Sequence, residues 1–408
     1  MFKAAVAAAL AWLLLAGSAF ASTSVPVDYR VEFRPDDGVA AVSITLPPDD
    51  GDGRVIELDF AMDPRRYSAI RGDGSLEVDG GRTVWQPPRE GGSLHFEYRI
   101  DKQRRSGGYD ARITESWVIV RGDHLVPAAR ARFTPGTRTH ARLRFELPEG
   151  WSAVETPYVR DPDEEVIEIE NPERRFVRPV GWMIAGDLGI RREWLEGMEM
   201  AVAAPRNEAM RRNDILSFTH VLAAELKATF GELPPKLLVV GAGDPMWRGG
   251  LSGPNSMYLH AERPMVNENG SSTVVHELVH VITRIAGRGN DRWIGEGIAE
   301  YYSVELMRRA GLITERRAKL AFEFKERRGR EVETLSAPRS TGPRTDLAVT
   351  LFAELDGEIR ELSDGELGLD DLVRRLMPIR RIDRHQLAEE FEQLTGQASR
   401  VLRDAPLD

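Results

Sequence analysis

The spacing of apolar residues changes character part-way along this chain, and that change limits its fold more than any other feature. Before Pro205, apolar residues recur at every second position over residues 27–33, 42–46, 94–100 and 141–147. A period of two places them on one face of an extended strand. Turn-forming clusters, Asp49-Asp50-Gly51-Asp52-Gly53 and Val78-Asp79-Gly80-Gly81, separate the runs. Short strands punctuated in this way predict an antiparallel β-sandwich domain over residues 22–204. After Pro205 the spacing becomes helical, with Ile215, Phe218, Val221, Leu222 and Leu226 predicting a helix over 206–230 that Pro234-Pro235 cannot continue. Residues 237–240 read as a buried strand, 249–254 as a glycine-rich loop and 256–260 as a second strand. Helices dominate from there on, with breaks at 336–345 and 363–369. Ser271, Ser272 or Thr273 is placed to cap the first of these helices, and Asp370 the one after the last break. The fold class is α+β: the β-sandwich followed by a mainly helical domain over 205–408.

Composition narrows the function classes. The chain of 408 residues is 41% hydrophobic and 29% charged, which places it among soluble globular proteins large enough for two domains. Its formal net charge of −10 argues against nucleic-acid binding, since phosphate contacts need a basic face. Lys3, an apolar run over 4–17 and Ala19-Phe20-Ala21 have the layout of a cleaved export signal. Residues 1–21 are therefore expected to be removed, giving an exported, periplasmic or secreted protein with no stable membrane insertion; an uncleaved anchor is the alternative. With no cysteine in the chain, disulfides, thiolate metal sites and cysteine catalysis are excluded. His95, His124 and His140 stand alone and are expected to be structural.

One stretch carries chemistry. In His276-Glu277-Leu278-Val279-His280, helical geometry puts the two imidazoles on one face a turn apart. That spacing lets both nitrogens reach one Zn²⁺ at roughly 2.0–2.1 Å. Glu277, displaced around the helix, faces a metal-activated water instead, and a carboxylate there can serve as general base and then acid. The bland reading is a helix with two hydrogen-bonded histidines and a surface glutamate. A second stretch, Trp293-Ile294-Gly295-Glu296-Gly297-Ile298-Ala299-Glu300-Tyr301-Tyr302, weighs against it. Glu296, near the start of a second helix, completes a His-His-Glu set with one open position, as catalytic zinc requires. Gly297 and Ala299 are expected to let this helix pack closely on the first. Glu300, one turn after Glu296, either accepts the outer N–H of a ligand histidine or is a plain surface acid.

The pentapeptide followed by Trp293-x-x-Glu296-Gly297-x-x-Glu300-Tyr301 resembles the gluzincin zinc metallopeptidases. Within that clan the chain is most similar to the glycyl aminopeptidase family, with the aminopeptidase N family next. Gly249-Gly250-Leu251-Ser252-Gly253-Pro254-Asn255-Ser256 resembles that family's Gly-Gly-Leu-Glu-His-x-Asn-Ser segment. The resemblance implies a thermolysin-like zinc peptidase domain, one Zn²⁺ per chain and a peptide or protein substrate. It also marks two departures. The family's glutamate that holds a substrate's free amine is Ser252 here, and Thr345 stands where the family has an oxyanion-stabilising tyrosine. Tyr258, His260, Tyr301, Tyr302 and His385 are the other candidate donors. The strand at 256–260 is either an edge that pairs with an extended peptide or an internal strand. The expected function is hydrolysis of peptide bonds; the alternative is a zinc-binding pseudopeptidase acting as an envelope binding module.

Overall fold

The computed structural model of the chain describes residues 23–51, 53–160 and 164–407; the expected signal at 1–21 lies outside them. Up to residue 186 the regular structure of the described chain is strand, apart from the short helix Gly122–Leu125. They form a six-stranded, a five-stranded and a four-stranded sheet. All three contribute to one core, through Val27, Ile44 and Leu94, through Val118 and Met183, and through Leu58, Phe60 and Trp85. Alternation predicts an antiparallel sandwich. The structure departs from it in having three sheets, and in the pairing of Thr23–Arg34 with Thr137–Glu146, which is parallel. A period of two identifies a strand but says nothing of a neighbour over a hundred residues away.

The sheet of the first half that lies nearest the second half contains β1 (Trp117–Arg121) and β2 (Trp182–Gly186). Val118, Val120, Met183 and Ala185 enter the first core. The intervening Trp117, Ile119, Trp182 and Ile184 enter a second one. That second core is closed by a mixed sheet made of β3 (Leu188–Leu195), β4 (Met198–Pro205), β5 (Lys236–Val240), β6 (Gly250–Gly253) and β7 (Ser256–Leu259), in the order β3-β4-β5-β7-β6. Strands β4 and β5 are parallel, as are β5 and β7. Ala201, Ala203, Leu238 and Val240 face the second core; Met200, Val202, Leu237 and Val239 face the helices. Burial on both faces is why β5 reads as an unbroken apolar run. Two strands of this sheet precede Pro205, so the change of periodicity falls inside a sheet.

Two expectations are corrected here. The stretch whose glycines suggest a loop forms β6, the edge strand; of the two alternatives for 256–260, β7 takes the internal one, between β5 and β6. Helix α1 (Arg212–Phe230), the crossover between β4 and β5, starts later than residue 206, because 206–208 turn back with Glu208 N–H donating to Pro205 O.

Helix α2 (Thr273–Thr283) carries the first motif. Ser272 caps it by accepting the Val275 N–H at 3.3 Å, and it ends at Arg284 in the left-handed region. Helix α3 (Trp293–Arg309) carries the second. Its Gly297 is required by α5 (Pro343–Leu362) and not by α2: a Cβ there would lie 2.7 Å from that of Ala348. Helix α4 (Glu315–Gly329) packs along α5, with Gly329 against Leu347. Helix α6 (Leu369–Leu376) is capped by Asp371, which accepts the Gly368 N–H at 2.9 Å. Asp370 is instead engaged by Tyr302 and Arg309. No helix among the described residues is long and apolar enough to cross a membrane.

Candidate metal centre

Helix α2 buries the side of Val274, Val275, Leu278 and Val279, which leaves His276 and His280 on a half-buried flank facing α3. Glu296, in the first turn of α3, reaches the same point. Among the described residues this is the one group of three such side chains whose donor atoms converge, all lying within 4.8 Å of one another. His276 Nε2 and His280 Nε2 are 3.2 Å apart; Glu296 Oε2 lies 3.4 Å from the former and Oε1 3.7 Å from the latter. Ligands about 2.0–2.1 Å from a tetrahedral ion are about 3.3 Å from each other, so the spacing fits zinc.

The electrostatics ask for a cation. Burial disfavours a charged His276, but hydrogen bonds with Glu296 and Glu300 outweigh it and push its pKa up to about 10. Burial likewise works against ionisation of Glu296. His276 and His280 prevail, holding that carboxyl well below the usual range. Glu300 accepts from His276 Nδ1 at 2.9 Å, which leaves Nε2 turned toward His280 and Glu296.

Glu277 is 8% exposed, and its carboxylate has no hydrogen-bond partner among the described residues. It lies under β6: a Cβ on Gly250 would sit 2.8 Å from Glu277 Cγ and 2.8 Å from Thr273 Cγ2. The register of β6 on β7 decides which backbone groups are open. Gly249 O accepts from its opposite residue, His260, so Leu251 also points toward β7. Gly250 and Ser252 then point outward along the sheet edge. Ser252 O accepts from Arg121 Nη1 at 3.3 Å, with Arg121 itself paired to Asp123, and Leu251 O accepts from Trp182 Nε1 at 2.8 Å. The first half of the chain thus grips the edge strand at the site through the last residue of β1 and the first of β2.

Most of the candidate oxyanion donors are engaged by other groups. Tyr258 is fully buried, with its hydroxyl donating to Trp247 O. His260 is buried with Nε2 3.4 Å from Asp244. Tyr301 packs on Phe322 and Tyr302, and Tyr302 donates to Asp370. The Thr345 hydroxyl is 3.1 Å from that of Ser340, and His385 is exposed at the start of a distant helix. None of the six hydrogen-bonds to His276, Glu277, His280 or Glu296.

Among solved structures the chain is similar to the aminopeptidase N family protein from Idiomarina loihiensis, with a TM-score of 0.65 and 15% identity over 86% of this chain and 70% of that one. It is similar to a variant of the M1 zinc metallopeptidase from Deinococcus radiodurans, with a TM-score of 0.59 and 15% identity over 93% of each chain. It is also similar to leukotriene A4 hydrolase from Saccharomyces cerevisiae, with a TM-score of 0.56 and 15% identity over 94% of this chain and 66% of that one. The chain shares the fold of these proteins. Compared by sequence, it matches no family model and no curated protein.

Within this fold, sequence reasoning misses three contributors to the site. Gly250 and Arg121 act through backbone register and a contact between distant segments. Lys325, whose Nζ donates to Glu300, sits in a helix rich in charge and reads as solvated. Nothing local to Arg121 or Lys325 signals a role, and the segment that carries Gly250 gives no sign that its backbone lies over Glu277.

Proposed function

We propose that this protein is a zinc-dependent metallopeptidase, with His276, His280 and Glu296 as metal ligands and Glu277 as general base and acid. The observation that carries the reading is a tetrahedrally spaced donor triangle beside a buried, unpartnered glutamate under an open strand edge. Zn²⁺ held there supplies Lewis acidity at oxygen. Glu277 takes the proton of the attacking water and returns it to the departing amine nitrogen. Glu300 fixes His276 through Nδ1. The outward backbone groups of Gly250, with the Ser252 N–H, offer an extended peptide main-chain hydrogen bonds beside Glu277.

We further propose that cleavage does not depend on a free N-terminus. Where the resembling family has a glutamate for the substrate amine, this chain has Ser252, and the charged side chain at that point of the edge is the cationic Arg121. The site is read as one of an exported protein, from the signal-like start of the chain. A second reading, a zinc-binding pseudopeptidase, is favoured by one observation: none of the six candidate oxyanion donors hydrogen-bonds to the donor triangle or to Glu277, and Tyr258, His260, Tyr302 and Thr345 are engaged by other groups.

The test uses purified protein, metal analysis and peptide libraries with free and with acetylated N-termini. The proposal expects one zinc per chain, cleavage of both libraries, and Glu277→Gln protein that keeps zinc and loses cleavage. Zinc-loaded wild-type protein that cleaves neither library would sink the peptidase reading in favour of the second. Cleavage confined to free N-termini would overturn the claim about the amine.

A further inference from the structure

Lys325 is the most deeply buried charged residue among the described residues, at 0% exposure. It lies on α4, the Glu315–Gly329 helix, which supplies none of the three donors. Its Nζ donates to Glu300 Oε1 and lies 3.3 Å from Asp346 Oδ1 on α5, while Arg328 Nη1 is 3.1 Å from the other Asp346 oxygen. Glu300 Oε2, in turn, is 2.9 Å from His276 Nδ1. The close approach of α4 and α5 at Gly329, one turn beyond Lys325, brings the ammonium and the aspartate together. Both oxygens of Glu300 are therefore committed, one to the ammonium and one to the imidazole.

Stability alone is a poor reason for this arrangement. Taking an ammonium out of water costs several kcal/mol, and a well-packed apolar side chain of similar volume often serves as well or better. The charge count points elsewhere. Around the site stand four carboxylates, Glu277, Glu296, Glu300 and Asp346, and two cations, Lys325 and Arg328. With both histidines neutral, two negative charges remain, which one divalent cation neutralises.

Resting on the metal-centre reading above, we propose that Lys325 is a positioning residue: through Glu300 it holds His276 in the tautomer and orientation that present Nε2 to the metal, and so sets metal affinity. The imidazole keeps its proton on Nδ1 only while Glu300 is an anionic acceptor at a fixed place. Lys325 secures the place by holding the other oxygen. Asp346 holds Lys325 against the pull of the triangle.

The test is zinc affinity, measured by chelator competition on full-length wild-type, Lys325→Met, Glu300→Gln and doubly substituted protein. Circular dichroism and melting at saturating zinc confirm that each is folded. Loss of an outer partner of a ligand histidine weakens binding by about 10–100-fold. Lys325→Met is expected to fall in that range with zinc saturable at one per chain. In the Glu300→Gln background it is expected to add little, because its effect passes through Glu300. Folded Lys325→Met protein that binds zinc as tightly as wild type overturns the proposal. So does a full additional loss in the Glu300→Gln background, the comparison that decides if Lys325→Met alone does not fold. Wild-type protein that takes up no zinc in the same titration rejects the metal centre itself, an outcome distinct from both.

Discussion

Replacing Gly250 by alanine adds one methyl group and no charge at the point where the edge strand lies over Glu277. Gly250 is outside the left-handed region, so alanine adopts its backbone without strain. The new Cβ would lie 2.8 Å from Glu277 Cγ and 2.8 Å from Thr273 Cγ2. Carbon pairs settle at about 3.5–4.0 Å, so Glu277 must withdraw by about 1 Å or β6 must lift by as much. A misplacement of about 1 Å costs on the order of 10²-fold in rate, or about 2.7 kcal/mol of barrier. Overpacking of this kind also destabilises by about 1–3 kcal/mol. The donor triangle sits on the flank of α2 that faces α3, so zinc content should stay at one per chain. The assay is kcat/KM on a peptide that wild-type protein cleaves, with zinc analysis and melting on the same samples. A hundredfold loss at full zinc occupancy is expected. Gly250→Ala protein that cleaves at the wild-type rate would refute the placement of Glu277 under the edge strand as a determinant of activity.

Other perturbations separate ligand, scaffold and surface. Glu296→Ala removes one of the three proposed ligands and should abolish stoichiometric zinc retention on gel filtration; retention at one per chain would remove Glu296 from the proposed set. Gly357→Ala, on the exposed face of α5 with no atom within 4 Å of the added Cβ, should stabilise by about 0.5–1 kcal/mol with kcat/KM unchanged, read as a higher melting temperature. His124 is held down to a pKa of about 4 by burial, which outweighs the attraction of Asp123. The unfolded chain therefore takes up a proton that the folded chain refuses as pH falls from about 6.5 toward 4, and stability is lost there by up to about 1.4 kcal/mol per pH unit. His124→Gln should flatten that part of the melting profile, between about pH 4 and 6.5, and an unchanged slope would assign it to other groups.

The parts of the fold that local pattern controls were legible in the sequence. The four alternating runs are strands, and α2 begins at one of the caps expected for it, Ser272. Pairing was not legible, because it depends on partners far away in sequence. Alternation in residues 27–33 and 141–147 is the same for parallel and antiparallel neighbours, and only the fold makes that pair parallel. Glycine misled at 249–254 for a related reason. Its usual message is a turn, yet Gly250 is in a strand because any side chain there would collide with Glu277 and Thr273. Asp370 follows the same logic: a residue suited to capping was drawn away by Tyr302 and Arg309 on another helix.

The site divides along the same line, between groups one helix can set and groups two helices must bring together. The imidazoles of His276 and His280 are aligned by the helical repeat itself, and Glu296 and Glu300 lie one turn apart on α3, so each pair is visible as a spacing. The ammonium of Lys325 belongs to α4, where Arg316, Arg317, Lys319, Arg327 and Arg328 make the whole helix read as solvated. What singles out Lys325 is that α4 meets α5 closely at Gly329 and turns its ammonium inward, onto the carboxylate that accepts from His276. A buried charge of this kind needs its partners in place when it leaves water. It follows that Asp346 and Glu300 are matched to Lys325 as a unit: removing either acid alone should destabilise more than replacing the acid and Lys325 together, and a double-mutant cycle in melting free energy is the measurement that decides it.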